Sequence, residues 1–439
     1  MKSISLAVAA ILSVAAPLRA GLIDYVQKPE AEFAWSLKKK SKTAAGTTYE
    51  IHLVSQTWQG IRWEHGLLVF QPNNVPPAAT MLLLNTGGNP GGATAIIGLE
   101  LAKKVGAPVA VLFNIPNQPL FDGKKEDALI AETFVRFLDG EGKDETWPLL
   151  FPMVKSVTKA MDALQAFAKS EWKHELKDFI ITGASKRGWT TWLTGAADSR
   201  VKAIAPMVID VLNMPVQMRH QLDCYGRYSE MIHDYEDRKL LPSPDTAVAK
   251  KLWQMVDPYA YRERLKMPKL IIIGSNDPYW TVDALNIYWD ELAGDKHVVI
   301  VPNAGHNLQQ KFDDGKVDQM RSWSRMLNAL AAFTRIQTTG TLMPKFEWRR
   351  VQANGSATLS FTATPAPRAA RVWLATSPTR DFRKSKWQET AVKLSDNRAD
   401  FAQTRPEKGY LSFYGEADFD DAGQSYSLAT QVQVVEAKK

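Results

Sequence analysis

The sequence predicts an α/β protein: a mostly parallel sheet with a helical cap inserted above one edge, followed by a small C-terminal β-sandwich. Three observations carry this. Apolar runs of the kind shown by buried strands recur between stretches of helical period, at residues 80–84, 108–114, 179–182, 203–209, 269–273 and 297–301. Residues 210–267 break that rhythm with a segment rich in Met, Tyr, His and charge. After Gly340 the texture changes to short alternating runs separated by turns, as sandwich strands require. The expected division is a signal peptide at 1–20, an α/β domain at 21–338 with its cap at about 210–267, and a sandwich at 339–439. With 45% hydrophobic residues over 439 positions, the chain is long enough for two cores.

At the N-terminus, Lys2, an apolar run over 4–16 and Pro17-Leu18-Arg19-Ala20 form the charged, apolar and cleavage regions of an export signal. A periplasmic or secreted protein beginning at Gly21 is therefore expected. No later segment reaches the ~18 continuous apolar residues of a membrane span. Cys224 is the only cysteine, which excludes an intrachain disulfide and a thiolate metal cluster, and it reads as a buried apolar residue. The formal charge of +7 is mild for this length. Lys38-Lys39-Lys40 is the one tight basic cluster, and it reads as a solvated loop rather than a nucleic-acid patch because no binding fold accompanies it.

Residues 49–58 and 63–70 alternate as strands joined through Gln59-Gly60-Ile61, a hairpin. The strand at 80–84 runs into Asn85-Thr86-Gly87-Gly88-Asn89-Pro90-Gly91-Gly92 and then a helical stretch at 93–104. The strand at 108–114 leads into Ile115-Pro116-Asn117-Gln118-Pro119, and two helices follow, over 126–137 and 147–169. The strand at 179–182 feeds Ser185, a helix covers 188–197, and 203–209 is the next strand. Beyond the cap come a strand at 269–273, a helix at 282–292, a last strand at 297–301 and a closing amphipathic helix at 312–334. Tail strands are expected at 346–351, 357–362, 370–375, 399–404, 410–414 and 425–435. Strands alternating with helices imply right-handed crossovers and loops gathered at the strands' carboxyl ends.

Those loops carry the candidate chemistry. Gly183-Ala184-Ser185-Lys186-Arg187-Gly188 puts a Ser on a sharp strand-to-helix turn, where a nucleophile elbow belongs, although the second Gly of G-x-S-x-G stands one place late. Taken alone, Ser185 could equally be a helix N-cap. Asp277 and His306 follow two further strands at the same sheet edge, in the order Ser, Asp, His that α/β-hydrolases use. The chemistry needs these types: Ser attacks an acyl carbonyl, His carries its proton, and a carboxylate on the other imidazole nitrogen fixes the tautomer. The backbone N–H of Lys186, with that of Thr86 or Gly87 in the glycine-rich loop, would face the oxyanion. Asp210, which ends the strand before the cap, is the alternative acid. Lys186-Arg187 would form a cationic rim, and acidic cap residues such as Glu230 or Asp234, if they reach the pocket, could hold a substrate's amino terminus. His52, His65, His174, His220, His233 and His297 lack the placement of His306, and with no H-E-x-x-H motif the reading includes no metal and no cofactor.

Several stretches also resemble a known family. Residues 49–58, Pro116-Asn117-Gln118-Pro119, 147–163, Gly183-Ala184-Ser185-Lys186-Arg187-Gly188-Trp189-Thr190-Thr191-Trp192 and Val208-Ile209-Asp210-Val211-Leu212-Asn213-Met214 are similar to the PhoPQ-activated pathogenicity-related proteins. That resemblance implies an exported α/β-hydrolase-like domain with a β-rich tail, related to prolyl-oligopeptidase-type serine peptidases. The elbow also resembles the G-x-S-R-x-G turn of glucuronoyl esterases, in which an Arg follows the nucleophile. The expected activity is therefore serine hydrolysis of an amide or ester, peptidase-like, on a small-molecule or peptide substrate. A carbohydrate esterase and a non-catalytic binding or signalling protein on the same fold are the alternatives.

Overall fold

The computed structural model describes residues 21–312, 318–353 and 355–437; the export signal expected at 1–20 lies outside them. After a short helix α1 (Leu22–Gln27), three antiparallel strands β1 (Ala34–Lys42), β2 (Gly46–Trp58) and β3 (Ile61–Pro72) lead into β4 (Thr80–Asn85), α2 (Gly92–Val105) and β5 (Val109–Leu112). Next come α3 (Glu126–Asp139), α4 (Leu150–Phe167), β6 (Asp178–Ala184), α5 (Lys186–Ala197) and β7 (Val201–Met207). The cap holds α6 (Met214–Tyr225), α7 (His233–Asp237) and α8 (Ala247–Val256); β8 (Lys269–Gly274), β9 (Lys296–Val301) and α9 (Gln319–Thr339) complete the α/β part.

The sheet order is β1-β2-β3-β5-β4-β6-β7-β8-β9, and all pairs from β5 to β9 are parallel. Both faces are covered, which is why these strands read as unbroken apolar runs. Alternate residues go to opposite cores: Leu83, Ile181 and Ile271 face the one that α3, α4 and α5 cover, while Leu82, Ile180 and Ile272 face the one that α2 and α9 cover. Such side chains each contribute about 1.5–3 kcal/mol relative to exposure. The chain steps from β4 to β5 on one side and then crosses to β6 on the other. The carboxyl ends of β4 and β6 therefore flank a topological switch point, where open α/β sheets place their ligands.

The tail is antiparallel. One sheet has the order β10 (Lys345–Ala353), β11 (Ser356–Thr364), then β15 (Arg398–Thr404) and β14 (Leu394–Ser395); the other contains β12 (Ala369–Ser377), β13 (Gln388–Ala391), β16 (Tyr410–Asp421), β17 (Gln424–Ala429) and β18 (Gln433–Glu436). The sheets pack closely: a Cβ on Gly415 of β16 would lie 2.7 Å from the ring of Phe361 in β11. The second sheet joins the edge of the main one, β17 pairing with β9 at Ala429 and Val298.

Three sequence readings differ from this. The lysine cluster is part of edge strand β1 rather than a loop. Exposed lysines are a common guard on an edge strand, and Lys40 pairs with Glu171 over the ring of Tyr49. The helix expected at 282–292 is two short 3₁₀ turns, Ala284–Ile287 and Trp289–Glu291. Tertiary contacts override helix period there, because the Asn286 side chain bonds Val432 O, Arg350 and Gln431 of the tail. Helix α9 begins at Gln319, where Asp318 caps it by accepting from Arg321 N, and continues past Thr334 to a left-handed Gly340.

Candidate active site

Strand β6 ends at Ala184 and α5 starts at Lys186, so a single residue, Ser185, makes the whole turn. Its φ of 59° and ψ of −129° lie in a region non-glycine residues avoid, at a cost of about 1–3 kcal/mol. The surroundings enforce it. Ser185 N donates to Met207 O at 2.9 Å and Trp189 N to Ser185 O at 3.0 Å, while Asn85 Nδ2 holds Thr182 O and Thr191 Oγ1. The displaced glycine has a steric reason: a Cβ on Gly188 would lie 2.9 Å from Met207 O and 3.0 Å from Gly183 O, and one on Gly183 would meet Arg187 O at 2.8 Å. The helix enters so close to the strand that both positions exclude a side chain. Ser185 makes no side-chain cap, so the N-cap reading does not describe it.

His306 leaves β9 and Asp277 leaves β8. The imidazole Nδ1 sits 2.8 Å from Asp277 Oδ2 and 3.1 Å from Oδ1, and the ring stacks on Tyr279 with centroids 4.1 Å apart. Tyr279 N donates to Asp277 Oδ1 at 2.8 Å, which fixes the carboxylate in turn. His306 Nε2 is buried without a partner, and His306 and Ser185 line one pocket. Asp210, the alternative acid, is occupied elsewhere: it is buried and accepts from Tyr288 OH at 2.5 Å. Burial pushes its carboxyl up to about 7, with the neighbouring Asp277 charge adding to the rise and the Tyr288 bond opposing it.

Of the three oxyanion candidates, Lys186 is the first residue of α5, so its N–H has no intrahelical acceptor. Thr86 is corrected: its N–H is spent on Leu112 O at 2.8 Å. Gly87, the next residue of that loop, remains.

The expected cationic rim is also corrected. Lys186 and Arg187 are buried because both point into carboxylates at the start of α3. Arg187 makes a bidentate pair with Glu126 (Nη1 to Oε2 2.5 Å, Nη2 to Oε1 2.6 Å) and donates to Ile115 O. Lys186 Nζ lies 2.7 Å from Asp127 Oδ2 and 3.0 Å from Glu126 Oε2. Burial would raise the Glu126 carboxyl, but Arg187 and then Lys186 hold it down at about 2. Arg187 also runs beneath the glycine loop, where a Cβ on Gly87 would lie 2.1 Å from its Nη2. The acids Glu126 and Asp127 read in sequence only as a helix start, and their role here was not legible.

The pocket lies between the sheet edge and the cap and, counting the open solvent at its mouth, spans about 520 Å³. Glu230 and Asp234 are not in its wall: Glu230 binds Arg383 at 2.8 Å and Asp234 binds Arg238 at 3.1 Å. The tail reaches the site from the other side. Asn276, beside Asp277, donates to the carbonyls of Phe382, Arg383 and Ser385, and Asn303, three residues before His306, exchanges two bonds with the Trp387 backbone. Among the described residues, His220, Cys224 and Asp283 are the one group close enough to share a cation. Its carboxylate is already engaged, with Asp283 hydrogen-bonded to His220 at 2.7 Å and paired with Arg380 of the tail at 2.9 Å, and burial pushes the Cys224 thiol up to about 12. No described helix is long and apolar enough to cross a membrane.

A sequence model of the PhoPQ-activated pathogenicity-related proteins matches residues 22–383. The chain is 30% identical over 436 residues to autocrine proliferation repressor protein A of Dictyostelium discoideum, covering 91% of this chain and 85% of that protein. Among solved structures it is similar to acetyl xylan esterase 1 from Thermoanaerobacterium sp. (13% identity, TM-score 0.48, 67% of this chain and 88% of that one). It is also similar to a glucuronoyl esterase from Solibacter usitatus (13% identity, TM-score 0.39, 69% and 86%).

Proposed function

The chain belongs to the family of PhoPQ-activated pathogenicity-related proteins, and from that premise we propose that it is an exported serine hydrolase cleaving an ester or amide through an acyl-enzyme. The observation that carries the reading is the strained Ser185, opening into the pocket that His306 shares while Asp277 holds the imidazole. Ser185 Oγ attacks the acyl carbonyl and His306 Nε2 takes its proton. Asp277 on Nδ1 keeps the tautomer and steadies the imidazolium. The N–H groups of Lys186 and Gly87 face the developing oxyanion, where one donor contributes ~10²–10³ in rate. His306 returns the proton to the leaving group, and water attacking with His306 as base releases the acid. Arg187 has its guanidinium committed to Glu126 and Ile115 O, so its part is to brace the elbow and the glycine loop.

A fluorophosphonate probe tests this. Labelling of the folded protein that disappears in Ser185→Ala supports the reading, and equal labelling of the two sinks it. A second reading, a signalling protein whose action needs no turnover, is favoured by the repressor named in the Dictyostelium relative. It would prevail if Ser185→Ala lost hydrolysis yet kept the whole cellular effect.

A further inference from the structure

The pocket beside Ser185 is built for one kind of chemistry. Most of its wall is carbon: Trp189 from α5, Met214 and Met218 from α6, and Ile232, Leu241 and Trp253 from the rest of the cap. Two of its three indole N–H groups are turned away: Trp189 Nε1 donates to Val256 O at 2.6 Å and Trp253 Nε1 to Ser243 Oγ at 2.6 Å. Trp280 keeps the one indole N–H of the wall that has no partner.

The charges at the pocket cancel internally. Apart from His306, Asp127 and Lys186 are the acidic and basic residues of the wall, and they bind each other at 2.7 Å, with Tyr235 OH donating to the same Asp127 at 3.1 Å. Among the described residues the wall's one acid, Asp127, is bound by Lys186, and the acids around it are bound by cations of the protein too: Glu126 by Arg187, Glu230 by Arg383 and Asp234 by Arg238. A charged group entering this cavity would lose its water and find no free counter-charge, which is strongly unfavourable. An alkyl or aryl group would gain from leaving water.

Resting on the hydrolase reading above, we propose that the acyl group of the substrate is an uncharged apolar chain or ring. The pocket excludes a free α-ammonium group, so the enzyme does not recognise a peptide by its amino terminus. The wall runs from Lys186, which carries one oxyanion N–H, along the first turn of α5 to Trp189, so the cavity receives the substituent on the carbonyl rather than the leaving group.

The test uses the full chain and p-nitrophenyl esters of acetate, butyrate, hexanoate and phenylacetate, with the succinate monoester and glycine ester as charged partners. Expected is a rise in kcat/KM of roughly fourfold per methylene up to the length that fills the pocket, and a loss of at least about 100-fold for either charged ester. In parallel, Trp fluorescence follows binding of acetamide, butyramide and hexanamide to Ser185→Ala, which needs no turnover. Tighter binding with chain length in that variant supports the pocket even if the wild type hydrolyses nothing, and then only the hydrolase reading falls. Hydrolysis that ignores acyl length, depends only on the alcohol, or favours the glycine ester overturns the inference and leaves the hydrolase standing. Met218→Trp should move the preferred chain to acetate and Met218→Ala to a longer one; no shift in either would also overturn it.

Discussion

The two halves of the site are held in different ways. The proposed nucleophile is held from within: Ser185 is clamped between β6 and α5 by backbone bonds, and the side chains of Lys186 and Arg187 are anchored in Glu126 and Asp127. The proposed acid and base are held from outside. The turns carrying Asp277 and His306 are tied by Asn276 and Asn303 to backbone at 382–387, more than eighty residues further along the chain. A strained elbow can be specified locally, because strand, turn and helix are contiguous. A pair of loops after separate strands has no such local restraint, and here the tail supplies it.

The largest effect should come from relieving the strain. Ser185→Gly removes the proposed nucleophile and, at the same stroke, the side chain that makes φ of 59° and ψ of −129° costly. Turnover should fall ~10⁴-fold or more, while stability in urea rises by about 1 kcal/mol. A variant that melts below the wild type would show that the turn is not a strained one.

Next is the outer half. Asn276→Ala and Asn303→Ala each free one loop, and a shift approaching 1 Å in the imidazole or its carboxylate costs up to about 100-fold. The expected signature is a 10–100-fold fall in kcat with KM unchanged, since neither asparagine lines the pocket. A rise in KM with kcat intact would mean that the tail shapes binding and leaves the triad alone.

This contrast also explains what the sequence made legible. The parallel strands, the elbow and the order Ser185, Asp277, His306 could be read because apolar runs and turn residues are local signals. The asparagines could not: Asn276 in Gly274-Ser275-Asn276-Asp277 looks like a turn residue, and its partners are carbonyls 106 to 109 residues away. Arg187 misled for a related reason. A cation after a nucleophile reads as a rim until Glu126, 61 residues earlier, is found beneath it. Lys38-Lys39-Lys40 read as a loop because charge obscures an edge strand, and Thr86 read as a donor because nothing local shows that its N–H is already bonded to Leu112 O.

Glu126→Gln probes the inner half again. It breaks the bidentate pair and leaves Arg187 buried with its charge uncompensated, a loss of about 2 kcal/mol once the partial exposure of Glu126 is allowed for. Because its carboxyl is held at about 2, below its ordinary range, the contribution is full above about 4.5 and disappears as pH falls towards about 2. Urea midpoints of wild type and variant should therefore converge across that acid window; a gap unchanged down to pH 2 would remove the ion pair as its cause.

Asp210→Asn has the opposite sign and the smallest expected effect on turnover. Burial raises the Asp210 carboxyl to about 7, so between about pH 4 and 7 the folded chain binds this proton more tightly than the unfolded chain, and wild-type stability declines as pH rises through that window. The amide keeps the bond from Tyr288 without ever ionising. The variant should match the wild type near pH 4 and exceed it by roughly 4 kcal/mol at pH 8, with kcat close to unchanged because Asp277 is the residue bonded to His306. If Asp210→Asn instead lost activity while Asp277→Asn kept it, Asp210 would be the working acid, and the outer half of the site would hold the wrong carboxylate.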